Sequence, residues 1–89
     1  MDAKELLGWN IRKIRVGRQL SQEALAFEAR IDRAYLGRVE RGKENVTLNV
    51  MEALAAVLGV PLGDLFTLPV AGEAKPAALK AGRRRRKIG

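Results

Sequence analysis

Arg33, Ala34 and Arg38 are the residues of this chain whose types and spacing suit a specific chemistry. A guanidinium is a rigid fork of N–H donors that can grip two acceptors at once, and an alanine methyl is a small apolar contact. Such groups along one side of a helix suit the edges of DNA base pairs. In the major groove each pair shows its own pattern of donors, acceptors and methyl groups. Asp32 stands before them as an N-cap candidate, and Tyr35, Leu36 and Val39 recur at helical spacing to give that helix a packing side. Upstream, Ser21 can cap a preceding helix whose apolar stripe is Leu25, Ala26 and Ala29, with Ile31 expected to be buried in the turn between the two. The run LSQEALAFEARIDRAYLGRVERG, Leu20 to Gly42, therefore reads as two short helices joined by a tight turn, the second bearing arginines. That is the layout of a DNA reader. A strand reading fails, because the run lacks period-2 alternation and is rich in Ala, Leu, Glu and Arg.

At 89 residues the chain predicts one domain with a modest core. It contains no Cys and no His, so disulfides, thiolate metal sites, the commonest general base and the commonest metal ligand are excluded. No catalytic residue, metal site or cofactor is expected. The absence of Cys fits a cytoplasmic protein, and no apolar stretch nears the ~20 residues of a membrane span or resembles a secretory signal. Charge is unevenly spread. Residues 1–69 hold 10 Lys/Arg against 9 Asp/Glu, whereas residues 70–89 hold 7 against one Glu. The first region can favour a polyanion only through the placement of its arginines, while the second is a diffuse cationic arm.

The rest of the chain supplies the elements that must position the reader. A first helix is expected from about Asp2, its cap, to about Val16, with Leu6, Leu7, Ile11 and Ile14 on its apolar face and Gly17 as its stop. Gly42 is a C′ candidate for the arginine-bearing helix. Thr47 announces a fourth helix carrying Val50, Met51, Leu54, Ala55, Val57 and Leu58 to Gly59, and Pro61 opens a short fifth with Leu62, Leu65 and Phe66. Pro69 closes the globular region. Residues 70–89 have few large apolar side chains and read as a disordered basic tail.

On NIRKIR in the first helix, LSQEALA in the second, AYLGRVERG in the third and NVTLNVMEALAAVLGVPLGDLF in the last two, the chain resembles the Cro/C1-type helix-turn-helix family. The resemblance spans Leu6 to Phe66 and is close to the controller proteins of restriction-modification systems. It implies a compact all-α, five-helix, lambda-repressor-like DNA-binding domain over residues 1–69. The family often has Gly in the turn where this chain has Arg30, so the left-handed strain that Gly relieves is expected to be absorbed differently.

The resemblance also implies roles. Arg33 and Ala34 match the first base-reading pair and Arg38 the reader one turn later, with Arg33 expected on guanine O6/N7 and Ala34 on a thymine methyl. Ser21 and Gln22 match the start of the helix that meets the phosphate backbone, and Arg41, Lys43, Asn45 and Thr47 surround the loop that grips phosphates on the far side of the groove. Arg15 and Glu40 lie on faces otherwise filled by Ile11, Ile14, Leu36 and Val39, where the family places a structural ion pair. Leu62, Leu65 and Phe66 exceed what a one-turn helix needs for its own packing, so some of them are expected in a dimer surface, which Val50 and Met51 extend, with completion of the core as the alternative. Trp9 falls between the apolar positions of the first helix, and both a partner contact and a partial core place stay open. Outside the span of the resemblance, the cations Arg83, Arg84, Arg85, Arg86 and Lys87 read as a nonspecific DNA arm, with a minor-groove arm, an RNA-binding arm and merely solvated charge as the alternatives.

The functional expectation is a sequence-specific transcriptional regulator that binds double-stranded DNA as a homodimer on a palindromic operator. Repression by occupying promoter DNA and activation by touching RNA polymerase are both open. The alternative is a protein-interaction module on the same fold, such as an antitoxin neutralising its toxin or a bridging adaptor.

Overall fold

Each α-helix among the described residues starts where a short polar side chain takes up a free backbone amide. In the computed structural model, which describes residues 1–74, Asp2 opens α1 (Ala3–Gly17), Ser21 opens α2 (Gln22–Ala29), Asp32 opens α3 (Arg33–Glu40) and Thr47 opens α4 (Leu48–Leu58). Each side-chain oxygen accepts from the amide three residues on, at 2.9 Å from Glu5, 3.0 Å from Ala24, 3.1 Å from Tyr35 and 3.2 Å from Val50. At α1 the bond is reciprocal, because the Asp2 amide donates to Glu5 Oε1 at 2.9 Å and completes a capping box.

The helices also end alike. At each C-terminus one residue turns left-handed, and its amide and the next one bond back to the last helical turn. The left-handed residues are Gln19 (φ 58°), Arg30 (φ 61°), Gly42 (φ 73°) and Gly59 (φ 73°). In α2, for example, Arg30 N–H donates to the Phe27 carbonyl at 3.2 Å and Ile31 N–H to that of Ala26 at 3.0 Å. Two sequence expectations change here. Gly17 does not stop α1 but is its last residue, and the left-handed step falls two positions later on Gln19. At the family's Gly position the strain is not displaced: Arg30 itself adopts the left-handed conformation, at a cost of roughly 1 kcal/mol for a residue with a β-carbon.

The fifth element is a 3-10 turn (Leu62–Phe66), not an α-helix, so the described residues form four α-helices and this turn. Five residues are too few to build successive α-helical bonds, and the turn opens with an i to i+3 bond from Asp64 N–H to the Pro61 carbonyl at 3.0 Å. Among the described residues there is no strand, and no helix is long and apolar enough to cross a membrane.

The core is Leu7, Ile11, Leu25, Ala26, Ala29, Leu36, Val39, Leu54, Ala55, Leu58 and Leu65, drawn from all five elements. Ile31, expected to be buried, is half-buried and packs on the edge of this cluster. Leu65 is 0% exposed, which corrects its place in a dimer surface: it is fully enclosed by its own chain and has no face left for a partner. Polar ties hold the turn and the helix ends. Asn10 Nδ2 donates to the Thr67 carbonyl at 2.9 Å, and Arg18 Nε caps the end of α4 at the Leu58 carbonyl. Past Pro69, Glu73 pairs with Lys13 of α1, and that hydrogen bond holds its carboxyl below the usual carboxylate range.

Candidate nucleic-acid interface

α1 and α3 meet backbone to backbone. Gly8 is buried against the end of α3, where a β-carbon would stand 2.5 Å from the Val39 carbonyl oxygen and 2.6 Å from that of Glu40. Only glycine permits that approach. Gly42, just past the end of α3, repeats the device three residues earlier on α1: its left-handed turn closes α3 with bonds from Gly42 N–H to the Val39 carbonyl and from Lys43 N–H to the Arg38 carbonyl, while its Cα side faces the α1 backbone at Glu5. Between these two glycines α3 has little freedom to slide along α1.

A buried ion pair sets the rotation of α3. Arg15 Nε donates to Glu40 Oε2 at 2.6 Å and Arg15 Nη2 to Glu40 Oε1 at 2.9 Å, with the two side chains 3% and 1% exposed. The third guanidinium nitrogen and the carboxylate have further partners. Arg15 Nη1 reaches the Leu20 carbonyl at 2.9 Å, and Gln22 Nε2 donates to Glu40 Oε1 at 3.0 Å. One bidentate pair therefore ties α1, the α1–α2 connection, the first residue of α2 and the last residue of α3. Gln22 is bound into this network, so its amide braces α3 directly. The hydroxyl oxygens of Ser21 and Thr47 serve as helix caps.

With Leu36, Val39 and Glu40 buried, the opposite side of α3 is left for solvent. Arg33, Ala34 and Arg38 are all exposed there, and Tyr35 is half-buried at the boundary. The loop that follows carries Arg41, Lys43, Asn45 and Thr47, all exposed. Arg41 lies over Gly37, where a β-carbon would meet its Nη1 at 3.4 Å. Arg38 is not free on this surface. Its Nε donates to Glu44 Oε2 at 2.6 Å, and its guanidinium carbon lies 5.8 Å from the centre of the Tyr35 ring. The Glu44 hydrogen bond holds the pKa of the guanidinium above its ordinary value.

The helix-turn-helix family HTH_3 matches residues 11–65 of this chain, the span that contains the turn between α2 and α3. The chain belongs to that family. Among its relatives, the control protein C.SmaI of Serratia marcescens is 43% identical over 67 residues, 75% of this chain and 80% of the relative. A hypothetical transcription factor of Neisseria meningitidis serogroup B is 40% identical over 68 residues, 76% of this chain but only 64% of the relative's length. Among solved structures, the restriction-modification controller protein C.AhdI from Aeromonas hydrophila shares 41% identity with a TM-score of 0.69, over 71% of this chain and 96% of that one. The controller C.Esp1396I bound to a 25 base pair operator site shares 29% identity with a TM-score of 0.67, over 74% of this chain and 87% of that one.

Several site residues escaped the sequence reading. Gly8 carries no side chain to announce itself, and its role exists only where another backbone arrives. Glu44 is one more acidic residue in a polar loop until the fold turns it back onto Arg38. Phe27, 81% exposed on α2, had no role assigned. Of the dimer candidates, Leu62 is half-buried and Phe66 is 36% exposed, and they are joined by Leu68 and Val70 at 75% and 70%. Trp9 is half-buried, and its Nε1 is enclosed without a hydrogen-bond partner among the described residues. Arg83 to Lys87 lie outside the described residues.

Proposed function

We propose that this chain is a sequence-specific DNA-binding transcriptional regulator that reads base edges with the exposed side of α3 and acts as a homodimer on a two-fold operator. The observation that carries the reading is the contrast across α3. One side is fixed to α1 by Gly8 and by the Arg15–Glu40 pair, while the other presents two arginines and a methyl to solvent. A rigidly held helix with forked donors on its free side is the apparatus that major-groove recognition needs. Family membership and the operator-bound relative support the same assignment.

In this reading Arg33 takes guanine O6/N7, Ala34 a thymine methyl and Arg38 a second base edge, while Arg41, Lys43 and Asn45 meet phosphates. Gln22 sets the reader in place from behind. Leu62 and Phe66, continued by Leu68 and Val70, form the surface for the second copy. The cations Arg83 to Lys87 add sequence-independent phosphate contacts, each steepening the salt dependence of log K by about 0.9.

The test is selection of binding sites from random duplex DNA at about 150 mM salt, with the full chain and its Arg33→Ala variant. The expected result is an enriched two-fold sequence for the parent. Arg33→Ala should lose about 1 to 3 kcal/mol of binding and relax the preference at one position in each half-site. Absence of any enriched sequence would remove the reader assignment and leave a protein partner as the object of this surface.

A further inference from the structure

The two arginines on the free side of α3 are not equivalent. Arg33 has no ion pair among the described residues, whereas Arg38 is held before any DNA arrives, by Glu44 on one side and by the ring of Tyr35 on the other. The manner of holding matters. Glu44 engages the Nε edge of the guanidinium through a 2.6 Å bond. The outer edge, formed by the two terminal nitrogens, makes no hydrogen bond among the described residues. That outer edge can still make two parallel hydrogen bonds.

Resting on the reading of α3 as the DNA reader, we propose that Glu44 is a specificity-determining residue, which buttresses Arg38 from behind and cancels its charge so that the arginine favours a base edge over a phosphate. A lone exposed arginine beside a duplex is drawn to the nearest phosphate, a contact that carries no sequence information. The attraction there is mainly Coulombic. Pairing the guanidinium with a carboxylate makes the unit neutral, which weakens its pull on an anion at every sequence. A guanine edge is uncharged, and its O6 and N7 bind through two directed hydrogen bonds that the free edge of Arg38 still supplies. Glu44 thus penalises the nonspecific contact more than the specific one. It also removes part of the freedom of a long side chain, because the Nε bond and the Tyr35 ring limit the directions in which the free edge can point. Arg38 is the contacting residue and Glu44 acts through it.

The test compares affinity for the selected duplex with affinity for a scrambled duplex of equal length, for the parent, Glu44→Gln, Glu44→Asp, Arg38→Ala and the Arg38→Ala/Glu44→Gln double variant. Glu44→Gln should bind the scrambled duplex more tightly, with its salt slope steeper by about one phosphate, 0.9 in log K. Its ratio of specific to scrambled affinity should fall about threefold to tenfold. Glu44→Asp, which keeps the charge, should retain more of the ratio than Glu44→Gln. In the Arg38→Ala background, loss of the carboxylate should raise both affinities together and leave the ratio unchanged. A parent-like ratio in Glu44→Gln, or an equal fall of the ratio in the Arg38→Ala background, would overturn the proposal while leaving the reader intact. A parent chain that selects no sequence at all would overturn the reader and this proposal together.

Discussion

Two arginine–glutamate pairs meet the last turn of α3, Arg15–Glu40 and Arg38–Glu44, and both place Nε 2.6 Å from a carboxylate oxygen. Distance does not distinguish them, but burial does. Arg15 and Glu40 are 3% and 1% exposed, whereas the Arg38 and Glu44 side chains are 46% and 26% exposed. A buried charge that loses its partner has no water to turn to, so the first pair is an obligatory lock. Water competes for the second pair at all times, which makes it releasable. In the function proposed above, one chemistry thus serves two tasks, holding the reader still and conditioning what it reads.

The largest effect expected from that difference is at the buried pair. Glu40→Ala leaves Arg15 charged in an enclosed site and should cost about 3 to 5 kcal/mol, a large part of the roughly 5 to 15 kcal/mol that holds such domains folded. Urea titration measures it. A cost below about 1 kcal/mol would mean that solvent reaches Arg15 once the carboxylate is gone, and the contrast between the pairs would collapse. Replacing both partners with Met should recover much of the loss, because no charge is then stranded.

Gly8→Ala asks whether the lock depends on close backbone approach as well as charge. Its methyl has no space before the Val39 and Glu40 carbonyl oxygens, so α1 and α3 must part, at an expected cost of about 1 to 3 kcal/mol or more. Loss of operator affinity beyond the loss of stability would show that the pose of α3, and not merely its folding, has been disturbed. A thermal midpoint unchanged from the parent would mean that the two helices separate freely.

A smaller effect of opposite sign is expected at Arg30, whose φ of 61° suits glycine better. Arg30→Gly should stabilise the fold by about 0.5 to 1 kcal/mol, the strain relieved less the extra freedom of the unfolded chain. A fall in the melting temperature would indicate that the arginine side chain contributes more than its backbone costs. The smallest change belongs to the exposed pair. Glu44→Gln should move the melting temperature by no more than about 2 °C while altering DNA selectivity. A large loss of stability would make Glu44 part of the lock.

What could be read in advance follows the range of the forces involved. Asp2, Ser21, Asp32 and Thr47 were legible as caps because each accepts from an amide three residues away, within a geometry the chain sets locally. The apolar stripes were legible for the same reason, since helical periodicity alone places Leu25, Ala26 and Ala29 on one side. Helix ends were read less well. Glycine is only the cheapest left-handed residue, and Gln19 and Arg30 take that conformation once a hydrophobic residue beyond them, Leu20 or Ile31, packs on the core.

The sequence by itself determined that this is an all-helical domain with a near-neutral body, a cationic tail and three candidate readers on one helix face. Only the tertiary structure decided which groups are private and which are public. Leu65 and Phe66 are chain neighbours with similar hydrophobicity, yet one is 0% and the other 36% exposed, because burial depends on elements packed from elsewhere in the chain. Gly8 acquired its role from backbone more than thirty positions away, and the two glutamates of the α3 region acquired opposite roles from the presence or absence of water around them. Periodicity and capping act over a few residues and can be read along the chain. Dielectric environment and backbone approach are properties of the assembled fold.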